Sequence, residues 1–139
     1  MRFRTAHASF SFFCLLAAFV TVPLLASGQD FTLTMAPFPY PAAIDPGGQS
    51  AANITLGTVN GFSGSVDLSC QVTSQTTAPV PPVCAVSPPS VQPLGGASVT
   101  VTSTGLTTPL EYTITVAGTA SGTTHSGSAN LTVLAVSPQ

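Results

Sequence analysis

Val66-Asp67-Leu68-Ser69-Cys70-Gln71-Val72 alternates apolar and polar side chains without a break. Successive side chains of an extended chain point to opposite faces, so this pattern describes a strand with one buried and one wet face. The same period recurs on both sides of it. Upstream, Phe31, Leu33 and Met35 alternate with Thr32 and Thr34, and Ala52, Ile54 and Leu56 with Asn53 and Thr55. Downstream, Val99 and Val101 alternate with Thr100 and Thr102, and Tyr112, Ile114 and Val116 with Thr113 and Thr115. Ala129, Leu131 and Val133 alternate with Asn130 and Thr132, and a short strand is expected near Val83 to Val86. Half-buried antiparallel strands carry this pattern, and β-branched Thr suits them.

The punctuation between these runs consists of turn residues. Pro46-Gly47-Gly48 precedes the second strand, and Asn60-Gly61 with Gly64 predicts a hairpin joining the second and third. Pro88-Pro89, Gly95-Gly96, Thr108-Pro109 and Ser121-Gly122 separate the later ones. About seven short strands at such intervals predict an antiparallel β-sandwich, with a barrel as the alternative. Pro37, Pro39, Pro41 and Pro46 crowd residues 36–50. Proline donates no ladder hydrogen bond, so the first strand is expected to break there and switch sheets. The expected core is Phe31, Leu33, Ile54, Leu56, Val66, Leu68, Val99, Val101, Tyr112, Ile114, Val116, Leu131 and Val133, with Phe62 over one end.

Composition narrows the field further. The chain has 139 residues, 44 % hydrophobic but only 4 % charged. Disorder needs the opposite balance, and the surfaces of helical bundles are built from Glu, Lys, Arg and Gln. One domain is expected, over residues 29–139, behind a leader at 1–28. Arg2 and Arg4 precede an apolar run from Ala8 to Ala26, and small residues follow at Ser27 and Gly28, the layout of a secretory signal peptide. An uncleaved membrane anchor is the competing reading. Cleavage would remove Cys14, Arg2 and Arg4, so the whole-chain formal charge of −2 becomes −4, with no Lys or Arg left. Nucleic-acid binding and attraction to anionic lipid both rely on such cations and are not expected. Nor is membrane insertion of the mature chain. The expected location is secreted, extracellular or at the cell surface, with the periplasm also open.

Loss of Cys14 leaves Cys70 and Cys84, an even pair that reads as a disulfide in an exported chain. Two free buried thiols are the competing reading. Zinc is disfavoured because two Cys and one His at unrelated spacings make a poor site.

Gly61-Phe62-Ser63-Gly64-Ser65-Val66-Asp67-Leu68-Ser69-Cys70 resembles the G-F-S-G-x-V-x-L-S-C run of secreted bacterial immunoglobulin-like repeats. Asp30-Phe31-Thr32-Leu33, Pro46-Gly47-Gly48, the segment from Cys84 to Val91, Tyr112-Thr113-Ile114-Thr115-Val116 with Gly118, and Leu131-Thr132-Val133 resemble further landmarks of that family in order. Val86 stands where the family has an aromatic, Val80-Pro81-Pro82 replaces L-P-x-G, and no Gly precedes Tyr112. The resemblance implies an immunoglobulin-like sandwich, supports a Cys70–Cys84 bond, and implies no activity. The pattern departs from antibody domains: Trp is absent, and the cysteine spacing reads as too short for a bridge between sheets.

Little in the chain speaks for chemistry. His125, lying among Gly, Thr and Ser, reads as a solvated loop residue, with no G-x-S-x-G beside it. Asp67 reads as a solvent-facing strand residue, and no calcium or phosphate loop is present. The protein is therefore not expected to be an enzyme or to need a cofactor or metal. A structural, adhesive or protein-interaction module is the first reading. A carbohydrate-binding accessory domain is the alternative, using the loop aromatics Phe38, Tyr40 and Phe62, of which Phe38-Pro39-Tyr40 is the best patch. Its competing reading is packing of these rings against a sheet edge. The partner is then an unidentified protein or polysaccharide.

Overall fold

A computed structural model describes residues 28–136. The expected leader therefore lies outside the described residues, apart from Gly28. The chain forms β1 (Asp30–Met35), β2 (Ala43–Ile44), β3 (Gln49–Val59), β4 (Val66–Ser74), β5 (Val83–Ser87), β6 (Ser90–Val91), β7 (Gly96–Thr102), β8 (Glu111–Ala120) and β9 (Thr123–Val133). The long strands fall on the alternating runs; β2 and β6, of two residues each, are too short to show a period.

The strands make two sheets, in the orders β1-β3-β7-β5 and β2-β9-β8-β4-β6. All pairings are antiparallel except β2 with β9. Chain order thus gives one sheet of the A-B-E-D type and one built around G-F-C, the immunoglobulin-like arrangement. The proline-rich segment does switch sheets: β1 borders β3, and β2 joins β9 in the other layer. Thr132 and Leu134 donate their N–H groups to the carbonyls of Ala42 and Ile44 at 2.9 Å, completing that short parallel pair.

Two expectations need correction. Asn60 and Gly61 both take positive φ, and Phe62 N–H returns to the Val59 carbonyl at 3.2 Å, so a tight turn forms. It does not close a hairpin, however, because β3 and β4 belong to different sheets. Gly64 and Phe62 turn the chain across the end of the sandwich, with Phe62 buried against Phe31 at a ring separation of 5.7 Å. The equivalent turn at Ser121-Gly122 does close a hairpin, β8 to β9.

The second correction concerns the disulfide. Cys70 lies on β4 and Cys84 on β5, and the bond joins them at a Cα separation of 6.2 Å. Since those strands lie in different sheets, the bridge does cross the sandwich. Fourteen residues proved sufficient because the 75–82 loop passes straight over one open side, from the edge of one layer to the edge of the other.

Every expected core residue is buried except Leu33, which is half-buried. Phe38, Ile44, Ala52, Val91 and Ala120 join that core. Leu33 and Met35 cross towards the second sheet over Gly118 and Gly127. A Cβ at Gly118 would stand 2.9 Å from Leu33 Cδ1 and from Val66 Cγ1, and one at Gly127 would stand 3.2 Å from the Met35 backbone nitrogen. These glycines let β1 close one side of the sandwich against β8 and β9.

Candidate functional site

β1 starts at one end of the sandwich, here the near end, beside the turns at Asn60-Gly61 and Ser121-Gly122. β9 finishes at the opposite, far end, with the 45–48, 75–82 and 103–110 loops. Hydrogen bonds hold these loops to one another. Ser103 donates its N–H to the Gly48 carbonyl and its hydroxyl to Asp45. Thr108 donates its N–H to Val80, and Val80 N–H returns to the Thr108 hydroxyl.

The three loop aromatics do not share a surface. Tyr40 is 99 % exposed, but Phe38 is 4 % and Phe62 6 % exposed. Both phenylalanines serve the core, because ring burial far outweighs anything a loop position offers. An aromatic sugar platform across Phe38, Tyr40 and Phe62 therefore does not form. Phe38 instead packs beside Met35 and Ala129 at the margin of the β1–β9 side, where a concavity of about 400 Å³ opens.

His125 also departs from its expected loop. It lies on β9 opposite Gly118, facing inward. Its Nε2 sits 2.9 and 3.1 Å from the two carboxylate oxygens of Asp30, and its ring meets Phe31 edge-on at 4.8 Å. Phe31 N–H donates to the same carboxylate at 2.8 Å. The His125 bond first, and then the backbone bond, hold Asp30 below its ordinary value. The arrangement sews the first residue of β1 to the opposite layer. Asp67 is exposed on β4, as expected, and Asp45 and Glu111 are exposed elsewhere. Glu111 accepts a 2.6 Å bond from Asn130 Nδ2.

Tyr112 is the most informative polar group in the core. It is 1 % exposed at the start of β8, and its hydroxyl donates to the Thr108 carbonyl at 2.7 Å. This backward bond from the opening of the F-type strand is the tyrosine corner of immunoglobulin-like sandwiches. Burial pushes its pKa up.

The sheet register makes the outer faces nearly neutral. On the five-stranded sheet, Thr119 lies between Asp67 and Thr124, Thr115 between Gln71 and Ser128, and Thr113 between Thr73 and Asn130. Thr113 and Thr119 extend this with cross-strand side-chain bonds to Asn130 and Thr124. The exposed large apolar residues lie mainly at the far end: Tyr40, Val80, Val83, Leu106, Leu134 and Val136, with Leu94 at the other. A concavity of about 450 Å³ lies there too, lined by Val72, Ser74, Gln75, Ala78, Pro81 and others. Among the described residues no helix is long and apolar enough to cross a membrane.

Strand order, sheet switch and tyrosine corner together define the class: an immunoglobulin-like β-sandwich. No protein-family model matches the chain, and no curated protein does. Among solved structures it is similar to domains 4 and 5 of the S-layer protein SbsC, with 17 % identity and a TM-score of 0.47. That match covers 67 % of this chain and 46 % of the other, so the chain spans under half of that S-layer fragment. It is also similar to the ZirS C-terminal domain, with 11 % identity, a TM-score of 0.49, and coverage of 96 % and 84 %. A third similarity is to a fimbrial structure from enteroaggregative Escherichia coli concerned with fibronectin binding and biofilm formation, at 13 % identity, a TM-score of 0.39, and coverage of 76 % and 100 %.

Proposed function

We propose that this chain is an exported, non-catalytic module that works by physical attachment, as a structural or adhesive unit contacting another protein. One observation carries the reading. The chain runs into the sandwich at the near end and leaves it at the far end, and the exposed apolar side chains gather around that exit. Such a body can be held at one end and present contact surface at the other. The groups that could have been read as chemistry have structural work: His125 and Asp30 tie the two layers, and Cys70 and Cys84 bolt them. The Arg-led apolar run supports export, and a disulfide fits an oxidising compartment.

Expression of the full chain in a bacterial host tests this. Protein recovered outside the cytosol should begin at or within a few residues of Gln29. Beads coated with it should be retained under flow on a protein-coated surface more strongly than uncoated beads. Retention on purified polysaccharide alone, or turnover of a hydrolase substrate that His125→Ala abolishes, would contradict the reading.

A further inference from the structure

We infer that the open edge of β4 is a docking strand for an extended segment of another polypeptide, and that this segment carries a basic residue. The inference rests on the attachment role proposed above and names its surface.

The edge follows from the register. Leu68 donates its N–H away from β8, to the Pro89 carbonyl at 2.7 Å. N–H and C=O groups of alternate strand residues point the same way. Those of Cys70 and Val72 therefore point away from β8 as well, beyond the reach of β6, which pairs with β4 only at Val66 and Asp67. An extended chain laid along β4 would complete these groups with main-chain hydrogen bonds, and side-chain pockets would set its specificity.

Both edges of the four-stranded sheet are guarded. β5 is five residues long and bracketed by Pro81-Pro82 and Pro88-Pro89. β1 leads into Pro37 and Pro39, and its margin is closed against β9 at Gly127. Natural edges are blunted by such prolines, by shortness or by lysines. From Ser69 to Ser74, β4 has no proline and no charge.

Two features select the occupant. The concavity of about 450 Å³ opens where this edge ends, with Val72, Ser74, Ala78 and Pro81 in its wall. Thr73, Gln75, Thr76 and Thr77 complete that wall and make it more polar than apolar, so it suits one threonine side chain of the incoming strand. Glu111 lies next to it, sharing a smaller hollow with Gln75 and Thr76. Residues 29–139 contain four acids and no Lys or Arg. A lysine or arginine on the incoming strand complements that charge, whereas an acidic strand would be repelled.

The test uses isotope-labelled protein recovered after export of the full chain. The probe is a capped peptide of alternating threonine and valine with lysine at each end. NMR should show exchange of the Cys70 and Val72 amides slowed about tenfold or more at saturating peptide. Glutamate ends, or a central proline, should abolish the effect. Glu111→Gln should weaken binding about two- to fivefold, the range of an exposed ion pair. Protection appearing on β5 or β9 instead, equal protection by the proline peptide, or protection that grows with protein concentration in the absence of peptide would overturn the inference; the last would mean a second copy takes the edge. Protein that is exported and retained on protein-coated surfaces, but shows no protection at Cys70 and Val72, defeats the docking strand and leaves the attachment role standing.

Discussion

Tyr112 and Asp30 each hold a proton balance that differs from that of the unfolded chain, in opposite directions. Tyr112 is raised above its ordinary 10.0 by burial, so its neutral phenol is favoured in the fold. Its contribution is complete below that value and is lost as pH climbs from there through the raised one. Tyr112→Phe should cost about 1 kcal/mol at neutral pH through loss of the bond to Thr108. It should also remove the alkaline part of the decline, which urea midpoints measured from pH 7 to 11 would reveal. Asp30 lies below its ordinary 3.8, so its contribution is present above that value and is lost as pH falls through the lowered one. Asp30→Asn should flatten the acid limb of the stability curve below about pH 4. An unchanged acid limb would mean that the bond to His125 adds nothing in solution. Tyr40, by contrast, touches little, and Tyr40→Ala should change stability by less than about 0.5 kcal/mol.

At the scale of elements, legibility followed periodicity. β3, β4, β7, β8 and β9 could be read from alternation because each has one face on the core and one on water. Ile44 and Val91 could not, since a two-residue strand has no period and each lies beside prolines. The Asn60-Gly61 signal was sound as a turn and misleading as a hairpin: positive φ at two residues fixes the local reversal, not the layer the chain then joins. His125 was misplaced for a related reason. Gly and Ser neighbours suggested a loop, yet Gly127 is required where Met35 passes, and small residues on β9 serve that approach. Phe38 illustrates the limit for sites, because a ring between prolines reads alike whether it packs inward or faces solvent. Gly118→Val tests the close approach of β1. The added carbons must displace Val66 and Leu33, and the loss should be about 1–3 kcal/mol in chemical denaturation. A neutral substitution would show that the sheets can separate there without cost.

For the whole molecule, almost no electrostatic support is available among the described residues beyond His125 and Asp30. Cohesion comes from one apolar core between two hydroxyl-faced layers, and from a covalent tie on the side that β1 and β9 do not close. Cys70→Ala/Cys84→Ala should lower stability by roughly 3 kcal/mol, as the chain-entropy account gives for a loop of this size. Its far-ultraviolet circular dichroism should remain that of a β protein. The near-neutral faces also mean that salt should change stability little. A sandwich whose layers are bolted together by Cys70–Cys84, with the export proposed for it, leads to one direct measurement. Mass spectrometry of non-reduced peptides, from protein collected outside the cytosol after expression of the full chain, tests both. The expected result is a linked pair containing Cys70 and Cys84, as the structure has it, in a chain that lacks the apolar run ending at Ala26, as the export proposal requires. Intact precursor in the cytosol with both thiols free would contradict it.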